Sequence, residues 1–247
     1  ITRYQDNMQL TAQPVLVDIL YPKALAKTTI GRIAREIILI VGFASFVAIC
    51  AQIIIRLPFT TVPITGQTFG VLLAGGALGA WRGAGALGLY LIAGMFLPIY
   101  APSSASSVIG DGTIHFLFPW NGNSGLLWDM SSGGYIVGFV LAAWAAGIFA
   151  RKGWYHTPWN IGGLIISNAL IYIPGLLWLA YLISSGWVHP AAGIPLSELI
   201  AGGDILDKTL IGGLYPFILG DLMKLYLAAL TLPAAWMAVT RFKRNSH

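Results

Sequence analysis

The sequence predicts an all-α, polytopic membrane protein with six transmembrane helices and both termini in the cytoplasm. Three observations lead there. Apolar residues fill 57% of the 247 positions and charged residues 9%, and the mean hydropathy is +0.76, well outside the range of ordinary soluble domains. Apolar runs recur at 37–55, 67–80, 84–100, 134–150, 161–184 and 215–240, each set off by charges, Gly/Pro clusters or polar loops. Lys and Arg also divide unevenly between alternate sides of these runs. Arg3, Lys23, Lys27, Arg32, Arg35, Arg82, Arg151, Lys152, Arg241, Lys243 and Arg244 share the side of the N-terminus, and Arg56 and Lys208 share the other, eleven against two.

The chain then divides into an N-terminal cytoplasmic or interfacial arm (1–36), a membrane-embedded domain (37–240) and a basic cytoplasmic tail (241–247). In the arm, residues 24–36 alternate Lys27, Arg32 and Arg35 with Ala26, Ile30, Ile33 and Ala34, a pattern suited to lying along an anionic leaflet of membrane lipids. Asp6 and Asp18 interrupt this region, which has no continuous apolar core, so no secretory signal peptide is expected in it. The second and third runs are shorter than the roughly 20 residues of a straight span and are rich in glycine, with Gly75 and Gly79 forming a GxxxG pair that favours close packing. Between the third and fourth runs lies a long outer loop, 101–132, Gly/Ser-rich but carrying Phe116, Phe118, Trp120 and Trp128. Two readings fit these aromatics, a lid over a site and an interfacial belt.

Within the sixth run, "YPFILGDLMKLYLAAL" holds Asp221 and Lys224. A charge near the bilayer centre costs about 2.5–3.5 kcal/mol on insertion scales, which makes an ionisable residue there a functional hypothesis. Their i, i+3 spacing puts both on one helical face, where they neutralise each other. With Pro216 in the first turn, Asp221 falls about 9 Å below the helix start. A pair that only fixes helix register is the competing reading. Other polar groups converge at the same depth: Thr65, Gln67 and Thr68 at the start of the second run, Gly133, Gly134 and Tyr135 at the start of the fourth, and Asn168, Tyr172 and Trp178 from the fifth. Free N–H groups at the glycine-rich helix start suit an anionic ligand.

Several function classes are disfavoured. The basic clusters sit between apolar runs and follow topology, with no basic helix or RNA-reading motif that would point to nucleic acid. Cys50 is the single cysteine, which excludes an intrachain disulfide and a Cys-based metal site. His115, His156, His189 and His247 are scattered and form no metal-ligand spacing. Neither a Walker motif nor a Ser–His–Asp order is present, so no catalytic residue, metal or cofactor is expected.

Four ordered blocks carry a more specific signal. "LPFTTVPITGQTFGVLLAGGALG", "GGYIVGFVLAAWAAG", "NALIYIPGLLWLA" and "YPFILGDLMKLYLAAL" resemble the signature blocks of the BioY family, biotin-binding substrate (S) components of energy-coupling factor (ECF) transporters. The resemblance runs from about residue 57 to 230 and includes the GD-x-x-K element at Gly220, Asp221 and Lys224. It implies a six-helix protein of the cell membrane that captures biotin from outside. It also implies partners, a coupling transmembrane protein and two cytoplasmic ATPase subunits that use the ATP. A ureido ring offers two N–H donors and one carbonyl, so Asp221 can accept while Lys224 donates. Tyr135 and Trp178 are expected as walls for the thiophane ring and valeryl chain, and Thr65, Gln67 and the backbone at Gly133 and Gly134 as donors to the carboxylate. The loop before the fourth run ends in "SSGGY" where the family has a PTGGY-like element, so contacts from that loop do not transfer by position.

Ala44 and Ala48 form an AxxxA pair in the first run, and the resemblance implies a docking surface for the coupling protein there; packing inside the bundle is the competing reading. Two other functions stay open at this point: a biotin transporter working alone or as an oligomer, and, from another class, a membrane enzyme or structural scaffold.

Overall fold

The apolar runs become helices because a chain in lipid must satisfy its backbone internally. A computed structural model describes residues 14–20, 28–57, 59–101, 114–154, 160–190 and 192–245. A short helix α1 (Leu16–Leu20) precedes α2 (Thr29–Ala51), α3 (Gln67–Leu78), α4 (Ala80–Gly94), α5 (Gly133–Arg151), α6 (Asn160–Ser184), α7 (Leu196–Leu199), α8 (Ile205–Gly213) and α9 (Tyr215–Asn245). Each predicted run lies largely within one of α2, α3, α4, α5, α6 and α9. Four helical stretches are long and apolar enough to cross a membrane, those of α2, α5, α6 and α8–α9; α3 and α4 are shorter, with 12 and 15 residues.

The boundaries shift for local reasons. α2 begins at Thr29, not at 37, because Thr28 caps it by accepting from the Gly31 N–H at 3.0 Å. Its polar first turns are then held by ion pairs. Arg82 of α4 grips Glu36 through Nε and Nη2 at 2.5 and 2.9 Å and reaches Asp18 of α1 at 2.8 Å, while Arg35 also meets Asp18 at 3.0 Å. The arm is therefore tied to the bundle at 14–20, with Val15 and Val17 buried in the core; the reading of residues 24–27 as part of an interfacial helix lies outside the described residues. α2 stops at Ala51, and Ile54–Ile55, predicted as helix, form the central strand β1 of a small sheet with β2 (Ile64–Thr65) and β3 (Ile114–His115), both antiparallel to it.

Glycine sets the helix packing. At Gly79, between α3 and α4, φ is +85°, a conformation that L side chains avoid, so the predicted GxxxG pair divides its roles: Gly79 makes the break and Gly75 makes the close approach. A methyl at Gly75 would collide with the Ala143 carbonyl of α5. Gly138 of α5 likewise faces the Ile171 carbonyl of α6. α5 is consequently the most enclosed of the long helices. The outward faces of α2, α6 and α9 carry exposed Ile38, Val41, Ile173, Leu177, Leu222 and Leu227, apolar side chains suited to lipid contact.

The Ala44 and Ala48 pair points inward. Both belong to the main core, 7% and 4% exposed, because the apolar face of α2 that meets α3 and α4 includes them. The stripe exposed outward instead runs through Ile37, Ile38, Val41 and Ile49.

Candidate functional site

At the end of the bundle where α3, α5 and α9 begin, a cavity of about 400 Å³ opens between the first loop, the α5 start, the middle of α6 and the first turns of α9. Such a volume suits a small-molecule ligand. Its deep wall is the charge pair: Lys224 Nζ lies 2.7 Å from Asp221 Oδ1, with Asp221 4% exposed. Because α9 starts at Tyr215 with Pro216 in the first turn, Asp221 is delivered less than two turns below the helix start and Lys224 nearly one turn deeper.

The two carboxylate oxygens have different surroundings. Oδ2 accepts from Asn168 Nδ2 at 2.8 Å and from the Tyr172 hydroxyl at 2.6 Å, both from α6. Oδ1 accepts from Lys224 and, at 3.4 Å, from the Thr68 hydroxyl of α3. A carboxylate has about four lone-pair sites, and four donors fill them here. The weakest is Thr68, so Oδ1 is the oxygen with a contact it can exchange for a ligand N–H. Lys224 donates a second hydrogen bond to the Thr65 carbonyl at 3.0 Å, which leaves one of its three hydrogens.

Among the predicted site residues, Thr65, Gln67, Tyr135, Asp221 and Lys224 line the cavity. Gln67 is held from two sides, accepting from the Thr65 hydroxyl at 2.8 Å and donating to the Tyr90 hydroxyl at 2.7 Å. Tyr135 packs edge-on to Tyr172 and donates to the Gly213 carbonyl at 2.8 Å. The remaining three stand behind the wall. Asn168 reaches the site only through Asp221 Oδ2. Trp178 lies across the start of α5, donating to the Met130 carbonyl at 3.0 Å. Gly134 faces the Pro174 carbonyl and the Trp178 side chain, so its missing side chain serves the α5–α6 crossing. Two N–H groups expected to be free at the α5 start are also taken, Gly133 by Met130 and Tyr135 by Ser132.

Other cavity residues were not singled out from sequence: Arg56, Thr60, Thr61, Asn123, Asp129, His189 and the apolar Ile136, Phe139, Ile171 and Phe217. The Thr61 hydroxyl is buried with no partner, a further polar group available to a ligand. Nothing in spacing marks these residues, since Arg56 reads as a topology charge and the apolar ones as core. Of the four outer-loop aromatics, Phe116, Phe118, Trp120 and Trp128, none lines the cavity, and all are exposed. Among the described residues no group of three or more His, Cys, Asp or Glu is placed to hold a metal ion.

Fold and site together define a multi-pass membrane protein with a ligand-sized cavity walled by a buried charge pair. The BioY family profile matches residues 21–241, and the chain belongs to the BioY family. A probable biotin transporter BioY of Pyrococcus horikoshii is 29% identical over 192 residues, 77% of this chain and 90% of that protein. A biotin transporter BioY of Thermotoga maritima is 27% identical over 177 residues, 71% and 82% of the two chains. One from Rhizobium etli is 29% identical over 199 residues, 79% and 90%. Among solved structures, the S-component for biotin from an ECF-type ABC transporter superposes with a TM-score of 0.53 at 18% identity, covering 88% of this chain and 95% of that one. At that identity the likeness establishes the fold. The relatives carry the names of transporters, a transport role and not an enzyme's, and the chain is a multi-pass protein of the cell membrane.

Proposed function

We propose that the chain is the biotin-capturing S component of an ECF-type ABC transporter, crossing the cell membrane six times with both termini in the cytoplasm. The observation that carries this reading is the Asp221–Lys224 pair set into the cavity wall. The ureido ring of biotin brings donors and an acceptor side by side. One ring N–H replaces the Thr68 contact on Asp221 Oδ1, and the remaining Lys224 hydrogen goes to the ring carbonyl. Asn168 and Tyr172 hold Oδ2 so that Oδ1 keeps its aim. Ile136, Phe139, Ile171 and Phe217 supply an apolar lining for the thiophane ring and alkyl tail, and burial of that surface adds to the polar recognition.

Uptake in this reading is driven by a coupling transmembrane protein and two cytoplasmic ATPase subunits that consume the ATP; family membership supports it. Since Ala44 and Ala48 are enclosed in the bundle, the coupling protein meets other parts of the surface. Uptake into proteoliposomes with and without the ATPase module separates this reading from a transporter that works alone or as an oligomer.

The direct test is equilibrium biotin binding by the purified chain, alongside Asp221→Asn, Lys224→Met and the double variant, whose neutral pair leaves no buried charge unmatched. Loss of binding by at least about 100-fold in a folded double variant supports the site. Undiminished binding removes it.

A further inference from the structure

We infer that Tyr90, a residue outside the cavity lining, fixes the Thr65 hydroxyl as a hydrogen-bond acceptor for the second ring N–H of a cyclic urea; this rests on the biotin reading above. A cyclic urea presents a carbonyl flanked by two N–H groups, so its complement is one donor accompanied by two acceptors. Lys224 is the donor, and Asp221 Oδ1, 2.7 Å from its Nζ, is the first acceptor. A second neighbour of the same Nζ is Thr65, whose carbonyl accepts from it at 3.0 Å. Thr65 lines the cavity, and covalent geometry keeps its Oγ1 within about 5 Å of its own carbonyl oxygen. The hydroxyl therefore stands beside the charge pair.

What that hydroxyl can offer is decided further back, at α4. A backbone carbonyl only accepts, so the Tyr90 hydroxyl, 3.2 Å from the Ile99 carbonyl, donates its single hydrogen there. Towards Gln67 it can then only accept. This turns the Gln67 amide so that Nε2 faces Tyr90 at 2.7 Å and Oε1 faces Thr65 at 2.8 Å. Oε1 has no hydrogen to give, so the Thr65 hydroxyl spends its own on Gln67. One Thr65 lone pair is taken by the Gln67 backbone N–H at 3.3 Å, and one is left.

Tyr90 is fully buried, so the relay begins where water cannot reverse it, and it does not line the cavity itself. It is a positioning residue that acts through Gln67. Thr65 is consequently no donor to a carboxylate, the role expected for it from sequence. It is an acceptor, and it suits a ligand that brings a hydrogen.

The experiment measures binding of biotin and of its two cyclic carbamate analogues, each with a ring oxygen in place of one N–H, to the purified full chain as wild type, Tyr90→Phe and Thr65→Val. Wild type is expected to bind each analogue about 10- to 100-fold less tightly than biotin, because each sets a lone pair against an acceptor. Tyr90→Phe frees the Gln67 amide to turn and the Thr65 hydroxyl to donate. Discrimination against one analogue is then expected to fall to about 3-fold or less, while that against the other, whose oxygen faces Asp221, is unchanged. Thr65→Val removes the acceptor itself, lowers the same discrimination, and decides the outcome if Tyr90→Phe does not fold. Discrimination that survives against both analogues in either folded variant overturns the inference. An equal fall against both overturns it too, because the relay would then only support the wall. A wild type that penalises one analogue alone removes the Thr65 assignment and leaves the Asp221 site standing, whereas a wild type that binds no biotin removes the biotin reading and this inference with it.

Discussion

Tyr172 of α6 donates its hydroxyl hydrogen to Asp221 of α9 across 2.6 Å, joining the two helices at the carboxylate oxygen that faces away from Lys224. With Asn168 on the same oxygen at 2.8 Å, the carboxylate is aimed from behind. Removing the hydroxyl in Tyr172→Phe leaves the cavity shape in place but frees the carboxylate to turn. Biotin affinity is expected to fall roughly 5- to 10-fold, read by titration calorimetry. An unchanged affinity would mean that the aim of Asp221 is set by Lys224 alone.

The pair itself makes a stability prediction. Removing one partner of a buried ion pair leaves the other charge unmatched, at about 3–5 kcal/mol. Asp221→Asn and Lys224→Met are each expected to lower thermal stability in detergent, and the double variant to recover most of the loss. A double variant as unstable as the sum of the two would show that the charges do not compensate each other.

Helix packing can be probed at glycine. Gly75→Val places a side chain against the Ala143 carbonyl, and overpacking of this kind costs about 1–3 kcal/mol or more. Gly88 has nothing within 4 Å of where a side chain would begin, so Gly88→Ala is expected to be neutral or slightly stabilising. Thermal unfolding of the two variants beside wild type checks both.

Asp18 gives a pH prediction. Burial opposes its ionisation, but the hydrogen bond and charge of Arg82, the Val15 N–H and Arg35 outweigh burial and hold the carboxyl below its ordinary 3.8. A folded value lower than the unfolded one means that the stabilisation is fully present above 3.8 and is lost as pH falls through the folded value. The stability gap between wild type and Asp18→Asn should therefore persist from pH 9 to pH 5 and close in stronger acid. A gap that closes on raising the pH instead would contradict the ion-pair assignment.

Much of the bundle was legible because an apolar run in a chain with few charges has one dominant explanation. Asp221 and Lys224 were legible for the converse reason, since polar side chains at that depth are rare. What sequence hid depended on neighbours distant in the chain. The first turns of α2 read as a separate arm because Arg35 and Glu36 look solvated until Asp18 and Arg82 are placed beside them. Strands of two residues, such as Ile54–Ile55, carry no period to detect. Gly134 and Trp178 looked like ligand contacts because they sit at the right level, but level does not say which way a helix face turns. Ala44 and Ala48 have the spacing of a helix-docking pair whether the approaching helix is another protein's or the chain's own.

The contact of Gly83 with Gly75 and of both with the Ala143 carbonyl leaves no room for larger side chains where α3, α4 and α5 meet. Substitutions that add bulk to reshape solute preference are consequently confined to the rim and the apolar lining. The frame that sets the depth of Gln67 and the inclination of α5 therefore tolerates no added bulk at Gly75 or Gly83, and the mouth is where this chain has freedom to change.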